Sequence, residues 1–203
     1  DWDGVRFAAD TVGGQEFHDY PTLALDADGV YICTQDFAFD ATGTNGESCY
    51  SIPKADLLQA TPTVANMTRF EATPAGLPVV SGSIQPSLDF GLTDGRAPLF
   101  GAQGGALVRS DIFGAQNAGA FLGVITAVVG DPGHATPPAA RQPNPGGIAR
   151  TLENVAPRFV GNVVELGDSL WAVHAVMGSS GANSALRWYE IAEPTNTVLQ
   201  TGL

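Results

Sequence analysis

One pattern recurs three times along the chain, and it constrains the fold more than any other feature. Two short segments of alternating apolar residues flank a tight turn, as in Pro21 to Leu25, then Asp28-Gly29, then Val30 to Thr34. The Asp-Gly pair supplies the positive φ angles that a two-residue hairpin turn requires. The pattern therefore predicts β-hairpins whose first strands open with proline. The other copies are Pro86 to Phe90, Asp94-Gly95 and Pro98 to Phe100, and then Pro157 to Leu166, Gly167-Asp168 and Leu170 to Val173.

Each hairpin is followed by two more candidate strands. The predicted third strands are Cys49 to Ile52, Ala106 to Arg109 and Ala185 to Tyr189, and the predicted fourth strands are Val64 to Phe70, Phe121 to Val129 and Thr197 to Leu199. The chain is thus divided into repeat units over about residues 21–85, 86–156 and 157–203, a spacing typical of repeat architectures. A further strand is predicted at Val5 to Ala8, and one or two helical turns within Lys54 to Ala60.

A four-stranded meander has two apolar faces and cannot bury both by itself. Stacking such sheets around an axis buries both faces, so the repeat predicts an all-β chain that forms a β-propeller of four-stranded antiparallel blades. A two-sheet β-sandwich is the alternative, because it also contains many short strands. Propellers close with about four to eight blades. We therefore expect residues 1–203 to form one segment of an incomplete propeller, completed by further blades from the same precursor or from partner chains.

Composition excludes several classes of partner. The net charge is −12 with a single lysine, Lys54, so no nucleic-acid partner is expected, since phosphate backbones attract clustered Lys and Arg. Hydrophobic residues make up 44% of the chain, which favours a folded protein. No apolar run approaches the roughly 20 residues of a membrane-spanning helix, so no membrane span is predicted.

The two cysteines indicate a redox compartment. Cys33 ends one predicted strand and Cys49 begins another, so pairing of these strands would allow a disulfide; two unpaired buried thiols are the alternative. A disulfide would favour an oxidising compartment, that is, a secreted or cell-surface protein. The chain starts at Asp1 with neither methionine nor signal peptide, which suggests a processed protein or a piece of a longer one.

Three stretches carry a resemblance to a known group of proteins. The segments DYPTLALDADGVYI, YSIPKADLL and LRWYEIAEPTNTVLQTG resemble those of large secreted bacterial proteins with propeller-like repeats, most of which have no assigned function. The resemblance concerns turns and strand cores, so it implies fold and location. Sialidases and several glycoside hydrolases share the architecture, but fold alone does not carry function. Sialidase-like sites need three arginines, and only Arg158 stands at a suitable strand start.

The residues beside the prolines are the candidate ligand-binding groups. Asp19, Tyr20, Gln85 and Arg158 precede or follow the opening prolines, and in a radial arrangement they would point at the mouth of the central channel. We expect them to hold a polar ligand such as a glycan, or else to cap the inner strands by hydrogen bonds. Long loops predicted on the same face are Gln35 to Glu47, Gly130 to Ala156 and Met177 to Asn183.

Catalytic motifs are weak. Gly167 to Leu170 spells the GDSL esterase signature with Ser169 as nucleophile, but the DxxH pair of Asp131 and His134 precedes it, and the hairpin turn explains the same letters. Asp19 and Asp89 are the only candidate acids for glycoside hydrolysis near strand starts. We therefore predict a non-enzymatic binding or scaffold module in a larger assembly, with a carbohydrate-active hydrolase as the alternative.

No resident cofactor or metal is predicted. His18, His134 and His174 lack metal-ligand spacing, and His174 falls inside an apolar strand, as a core or channel residue would. The segment Asp40 to Glu47 has oxygen ligands spaced loosely like a calcium loop, yet it lacks the ordered D-x-[DN]-x-[DN]-G pattern. A hydrogen-bonded loop is the other interpretation of that segment.

Overall fold

The structure, a computed structural model, describes residues 3–10, 16–39, 44–71, 83–91, 95–141, 151–152 and 157–203. Within these residues strands account for just over half of the chain, and the only helix is a single short turn. The prediction of an all-β chain is therefore confirmed. No helix in this described part is long and apolar enough to cross a membrane.

The first repeat unit forms a four-stranded antiparallel meander, here called the first sheet. Its strands, in spatial and chain order, are β1 (Glu16–Leu25), β2 (Gly29–Ala38), β3 (Thr44–Pro53) and β4 (Thr68–Glu71). The single helical turn α1 (Lys54–Leu57) connects β3 to β4. The predicted order of four strands is therefore present in this unit, and its hairpin strands are longer than the sequence indicated.

A buried carboxylate shapes the first hairpin turn. Oδ1 of Asp26 accepts hydrogen bonds from the backbone N–H groups of Asp28 and Gly29, each at 2.7 Å. Oδ2 accepts a hydrogen bond from the Tyr31 hydroxyl at 2.7 Å. Aspartate commonly stabilises turns by accepting from backbone groups two residues on. Neither Asp28 nor Gly29 has a positive φ, so the prediction of a left-handed Asp-Gly turn is wrong, and the Asp26 carboxylate stabilises the turn instead.

The predicted disulfide between Cys33 and Cys49 is confirmed. The two residues are direct partners in the antiparallel register of β2 and β3, with their Cα atoms 4.1 Å apart. Both side chains are fully buried. The bond therefore cross-links the two central strands of the first sheet from within its core.

The second and third units share one larger sheet, here called the curled sheet. The second unit contributes β5 (Gln85–Asp89), β6 (Arg96–Gln103), β7 (Ala106–Phe113), β8 (Phe121–Leu122) and β9 (Thr126–Ala127). A small separate pair follows, β10 (Ala140–Arg141) and β11 (Thr151–Leu152). The third unit contributes β12 (Val163–Leu166), β13 (Ser169–Met177), β14 (Ser184–Ala192) and β15 (Thr197–Gly202).

The two units join through their first strands, because β5 and β12 pair in parallel with Ser87 opposite Val163. The far ends of the sheet also meet. The Val129 N–H donates to the Asn196 carbonyl at 2.9 Å, and the Val198 N–H donates to the Val129 carbonyl at 2.8 Å. The second and third units are thus hydrogen-bonded into one sheet that curls on itself, instead of standing as two separate sheets. An unpaired first strand exposes backbone donors and acceptors, which explains why neighbouring edges pair.

Two apolar cores lie on opposite faces of the second unit. Leu99 of β6 packs with Tyr31, Cys33 and Cys49 in the core shared with the first sheet. The next residue, Phe100, packs with residues of the third unit inside the curled sheet. Because successive strand residues point to opposite faces, β6 contributes to both cores. This burial on both faces explains the nearly unbroken apolar character of β6.

Several predicted boundaries shift. Residues Val5 to Ala8 do not form a strand; instead the Phe7 ring lies 5.2 Å from that of Tyr50, and the Tyr50 hydroxyl donates to the Ala9 carbonyl. The first unit's fourth strand begins only at Thr68, because buried Asp56 binds both the backbone and the side-chain amide of Asn66 in a turn. The second unit's fourth strand is divided into β8 and β9, which both pair with β7.

Candidate functional site

A cleft of about 120 Å³ opens where the first strands of the three units come together. We call it the junction cleft; it is lined by Tyr20, Pro21, Thr22, Ser83, Arg158, Phe159 and Val160. These residues come from β1, from the segment before β5 and from the segment before β12. The hydroxyl of Thr22 donates to the Ile84 carbonyl at 2.8 Å, which links the first sheet to the chain entering β5.

A β-bulge in β1 brings the Tyr20 side chain to the cleft. Asp19 is opposite Gln35 and Thr22 is opposite Cys33, so Tyr20 and Pro21 together face only one residue of β2. Tyr20 has a φ of 49°, which is unusual for a bulky residue. The Asp19 carboxylate accepts the Tyr20 N–H at 2.8 Å and stabilises this conformation. Bulges of this kind redirect a side chain.

The cleft has one cationic wall. Arg158 is only 5% exposed, and its guanidinium carbon lies 3.8 Å from the centre of the Tyr20 ring. That distance indicates direct stacking of the cation on the ring face. Nη1 of Arg158 also lies 3.5 Å from Oε1 of Gln35, a long hydrogen bond. The guanidinium is therefore held by side chains of the first sheet, although Arg158 itself belongs to the third unit.

Buried His174 supports the segment that carries Arg158. Its Nδ1 lies 2.9 Å from the Pro157 carbonyl, and its ring stacks on Phe159 at a centroid distance of 5.0 Å. A carbonyl can only accept, so Nδ1 is the donor, and Nε2 accepts from the Tyr189 hydroxyl at 3.1 Å. Burial lowers the pKa of His174 to about 4, so the ring is neutral near pH 7. The residues on both sides of Arg158 are thus fixed by one imidazole.

The structure brings together two of the four predicted ligand-binding residues. Tyr20 and Arg158 line the junction cleft and touch each other. Asp19 acts behind them as the acceptor for the Tyr20 backbone. Gln85 is 2% exposed, and its side-chain amide donates to the Pro86 carbonyl, so it serves as a buried strand cap. Ligand binding by this set stays a prediction.

Four further residues line the cleft without having been expected there from the sequence: Thr22, Ser83, Phe159 and Val160. Their common signal is position, since each lies within three residues of an opening proline. The long loops expected to carry a site supply none of the cleft's lining residues. Much of the loop predicted at Gln35 to Glu47 is strand, because β2 continues to Ala38 and β3 begins at Thr44.

Among the described residues, neither the esterase nor the glycosidase hypothesis has its catalytic residues placed together. The Ser169 hydroxyl donates to Oε1 of Glu190 at 2.9 Å, and His174 faces the opposite side of β13. Asp89 accepts the Gly91 N–H at the far end of β5 from the cleft, so it does not pair with Asp19. In the same described ranges no group of three or more His, Cys, Asp or Glu could hold a metal ion. Residues 40–43 of the calcium-like segment lie outside the described ranges.

A scan against protein-family models, a search of curated proteins and a search of solved structures each found no match to this chain. The junction cleft therefore has to be interpreted from its own chemistry. That chemistry combines a stacked guanidinium, an aromatic ring, two hydroxyls and an apolar wall.

Proposed function

We propose that the chain is a secreted or cell-surface binding module whose junction cleft holds the carboxylate-bearing end of a glycan. The observation that supports this is the Arg158 guanidinium, stacked against Tyr20 in the wall of the cleft. A planar guanidinium matches a carboxylate in shape and charge, and can bind it through two parallel hydrogen bonds. The stacked ring limits the orientations of the guanidinium and so lowers the entropic cost of binding.

The other lining groups suit a sugar better than a peptide or a lipid. Phe159 and Val160 offer apolar contact to the C–H groups of a sugar ring, while the hydroxyls of Thr22 and Ser83 can accept from sugar hydroxyls. A cleft of about 120 Å³ is smaller than the roughly 300–1,000 Å³ of pockets that enclose a whole small ligand. The cleft would thus take the carboxyl group and part of one sugar ring, with the rest of the glycan outside.

The net charge of the protein further limits the class of acidic glycan that would bind. At −12, the protein repels dense polyanions at long range. Short acidic oligosaccharides, such as oligouronates, therefore fit better than sulfated polymers. Added salt should weaken binding only modestly, because the guanidinium is buried and screening acts mainly on exposed charges.

Location and assembly are part of the same proposal. The Cys33–Cys49 disulfide is compatible with an oxidising compartment, which supports secretion. The proposed propeller arrangement is supported by the four-stranded antiparallel meander of the first unit and by the contact of its first strand, β1, with β5. The pairing of β5 with β12 departs from that arrangement, because it merges the second and third units into one sheet. Intact mass and light scattering on the natural protein would test it: further meanders in the chain or in an assembly are expected, and a self-contained monomer of these units would contradict it.

Calorimetry with trigalacturonate tests the proposed ligand. The wild-type protein should bind trigalacturonate and not neutral galactotriose. Arg158→Lys keeps the charge but loses the planar stacked fork, and should weaken binding at least about 10-fold. Arg6→Lys, at an exposed position away from the cleft, is the matched control and should bind like the wild type. Equal binding of acidic and neutral trisaccharides, or an unaffected Arg158→Lys variant, would reject the proposal.

A further inference from the structure

Two tryptophans lie exposed on the outer face of the third unit. Trp171 of β13 and Trp188 of β14 are 38% and 39% exposed. Their rings are nearly parallel, with an interplanar angle of 19° and centroids 6.2 Å apart. More than a third of each tryptophan is therefore open to solvent, which leaves surface available for contact. Two such rings held in parallel at the surface form a feature that the junction cleft does not explain, here called the tryptophan platform.

The backbone beneath the platform is shaped to let one ring lie flat. Gly202 of β15 is opposite Trp188 in the strand register. A Cβ built on Gly202 would overlap Nε1 of Trp188 and would lie only 2.8 Å from its Cε2 atom. The indole therefore rests directly on the glycine backbone. A ring in this position presents its face, and not only its edge, to the solvent.

A polar group borders the platform. Glu190 is opposite Trp171 in the register of β13 and β14. Its Oε1 accepts from the Ser169 hydroxyl at 2.9 Å, and its Oε2 accepts from the Gln200 amide at 2.6 Å. These bonds hold the carboxylate across three strands. Each oxygen has a second lone pair that can accept from a ligand hydroxyl.

We propose that the tryptophan platform binds a neutral, β-linked polysaccharide chain. The pyranose units of such a chain are flat and carry C–H groups on both faces with hydroxyls around the edge. The C–H faces stack on indole rings, whose π faces carry partial negative charge. The edge hydroxyls reach Glu190 and Gln200. This site goes beyond the junction cleft, because it needs no carboxylate on the ligand.

The same features argue against a protein sheet as the occupant. A second sheet packed here would bury the Glu190 carboxylate, and a buried charge without a cationic partner is costly. Glu190 is the only ionisable residue at the outward-facing positions of β13 and β14, both of which are fully described, so the platform offers no cation to an acidic partner. By contrast, a polysaccharide leaves Glu190 solvated at its edge. A second copy of this chain or a further meander are the competing occupants.

Affinity electrophoresis of the full chain tests the site. The wild-type protein should be retarded in native gels containing hydroxyethylcellulose or glucomannan, and not in gels containing α-linked dextran. Trp171→Ala and Trp188→Ala should each weaken the binding at least about 10-fold, as expected for loss of one stacking ring. Gly202→Ala retains both rings but displaces Trp188, and should also weaken binding. Phe90→Ala removes an aromatic ring that is 77% exposed elsewhere, and should change nothing.

Folding and association are controlled separately. Circular dichroism and retained binding of trigalacturonate at the junction cleft would show that a variant is folded. Light scattering over a concentration series would reveal self-association. The proposal would be overturned if the wild-type protein were not retarded, or if both tryptophan variants were retarded as strongly as the wild type. It would also be overturned if the wild type formed an oligomer that dissociates in the Trp188→Ala variant.

Discussion

The first sheet and the curled sheet are stabilised by different means. The first sheet has a disulfide at its centre and buries several hydrogen-bonded carboxylates, including Asp26, Asp36 and Asp56. The curled sheet encloses an apolar core, and an ion pair between Arg109 and Glu193 spans its two ends. The first sheet shares an apolar core with the second unit, and we expect the covalent and hydrogen bonds within the sheet to supply much of the rest of its stability. The curled sheet surrounds its own core, so we expect it to need a strong interaction only where its two ends meet.

The ion pair of Arg109 and Glu193 belongs to a buried network that joins the two ends of the curled sheet, here called the lock. Nη2 of Arg109 lies 2.6 Å from Oε1 of Glu193, and its Nη1 donates to the Glu193 carbonyl at 2.7 Å. Asp111 and Arg96 complete the network on either side. Arg109 and Glu193 are both about 4% exposed. The network lies on β6, on β7 and on the turn between β14 and β15. Nearby, the bridge between Val129, which follows β9, and Thr197 of β15 also joins the two ends of the sheet.

Removing the lock should have the largest effect on stability. Glu193→Ala leaves the Arg109 charge buried with fewer partners, and should lower the free energy of unfolding by about 3–5 kcal/mol. Urea denaturation at pH 7 measures this loss. Glu71→Gln removes the carboxylate of a half-exposed pair with Arg69 and should cost less than about 1 kcal/mol. Similar losses in the two variants would mean that the curled sheet needs no lock.

Removing the disulfide should affect the first sheet instead. The bond closes a loop between residues separated by 16 positions, so Cys33→Ala with Cys49→Ala should cost about 3 kcal/mol. Hydrogen exchange should show the loss of protection first in β1 to β3. If β13 and β14 lost protection to the same extent, the two sheets would unfold as one unit, and the contrast between them would fail.

Acid should destabilise the curled sheet more than the first sheet. The pKa of His174 is about 4 when folded and near 6.5 when unfolded, so the unfolded chain binds more protons between these values. The free energy of unfolding is therefore highest above pH 6.5, and it falls by up to about 3 kcal/mol as the pH drops to 4. Burial also lowers the pKa of His134, whose ring meets that of His174 edge-on at 4.8 Å, and this adds to the same trend.

The nearby charges of Asp131 and Arg187 have opposite effects on the pKa of His174, so burial dominates. The measurement is urea denaturation between pH 7 and pH 4.5 for the wild type and for His174→Gln. The variant should lose part of the pH dependence. An identical pH profile for both proteins would show that His174 does not cause it.

The smallest effect is expected at the first hairpin turn. Asp26→Asn replaces one carboxylate oxygen by an amide and so removes one of the acceptors for Asp28, Gly29 and Tyr31. We expect a loss of about 1–2 kcal/mol in thermal or urea unfolding. Tyr31→Phe removes a single donor and serves as the comparison. If the Asp26→Asn variant were as stable as the wild type, the role assigned to this carboxylate in the first sheet would be contradicted.

Local features of the fold were predictable, whereas edge pairing was not. The hairpin at Asp28-Gly29 and the disulfide of Cys33 and Cys49 follow from short-range patterns of turns and alternation. The parallel pairing of β5 with β12 joins backbones about 75 residues apart. Backbone hydrogen bonds carry no side-chain signature, so a repeat of four strands does not reveal whether its edges stay separate.

The residues of the candidate site also divide into those that local sequence predicts and those that depend on long-range contacts. Tyr20 and Arg158 were predicted from their positions beside opening prolines, and both line the junction cleft. Gln85 shares that position in the sequence but is turned inward by the register of β5, which pairs it with Phe100. The bulge that exposes Tyr20 inserts an extra residue opposite β2, which no local pattern indicates. Thr22 and Ser83 were missed because they line the cleft only once the two sheets are in contact.

The junction cleft is where the first sheet and the curled sheet meet, and a nuclear magnetic resonance titration tests its proposed role most directly. Trigalacturonate added to the isotope-labelled protein should shift resonances of Tyr20, Thr22, Ser83 and Arg158 to Val160, including the side-chain guanidinium N–H of Arg158. Resonances of the tryptophan platform should stay in place. Shifts that avoid these cleft residues, or no shifts at millimolar ligand, would contradict the account.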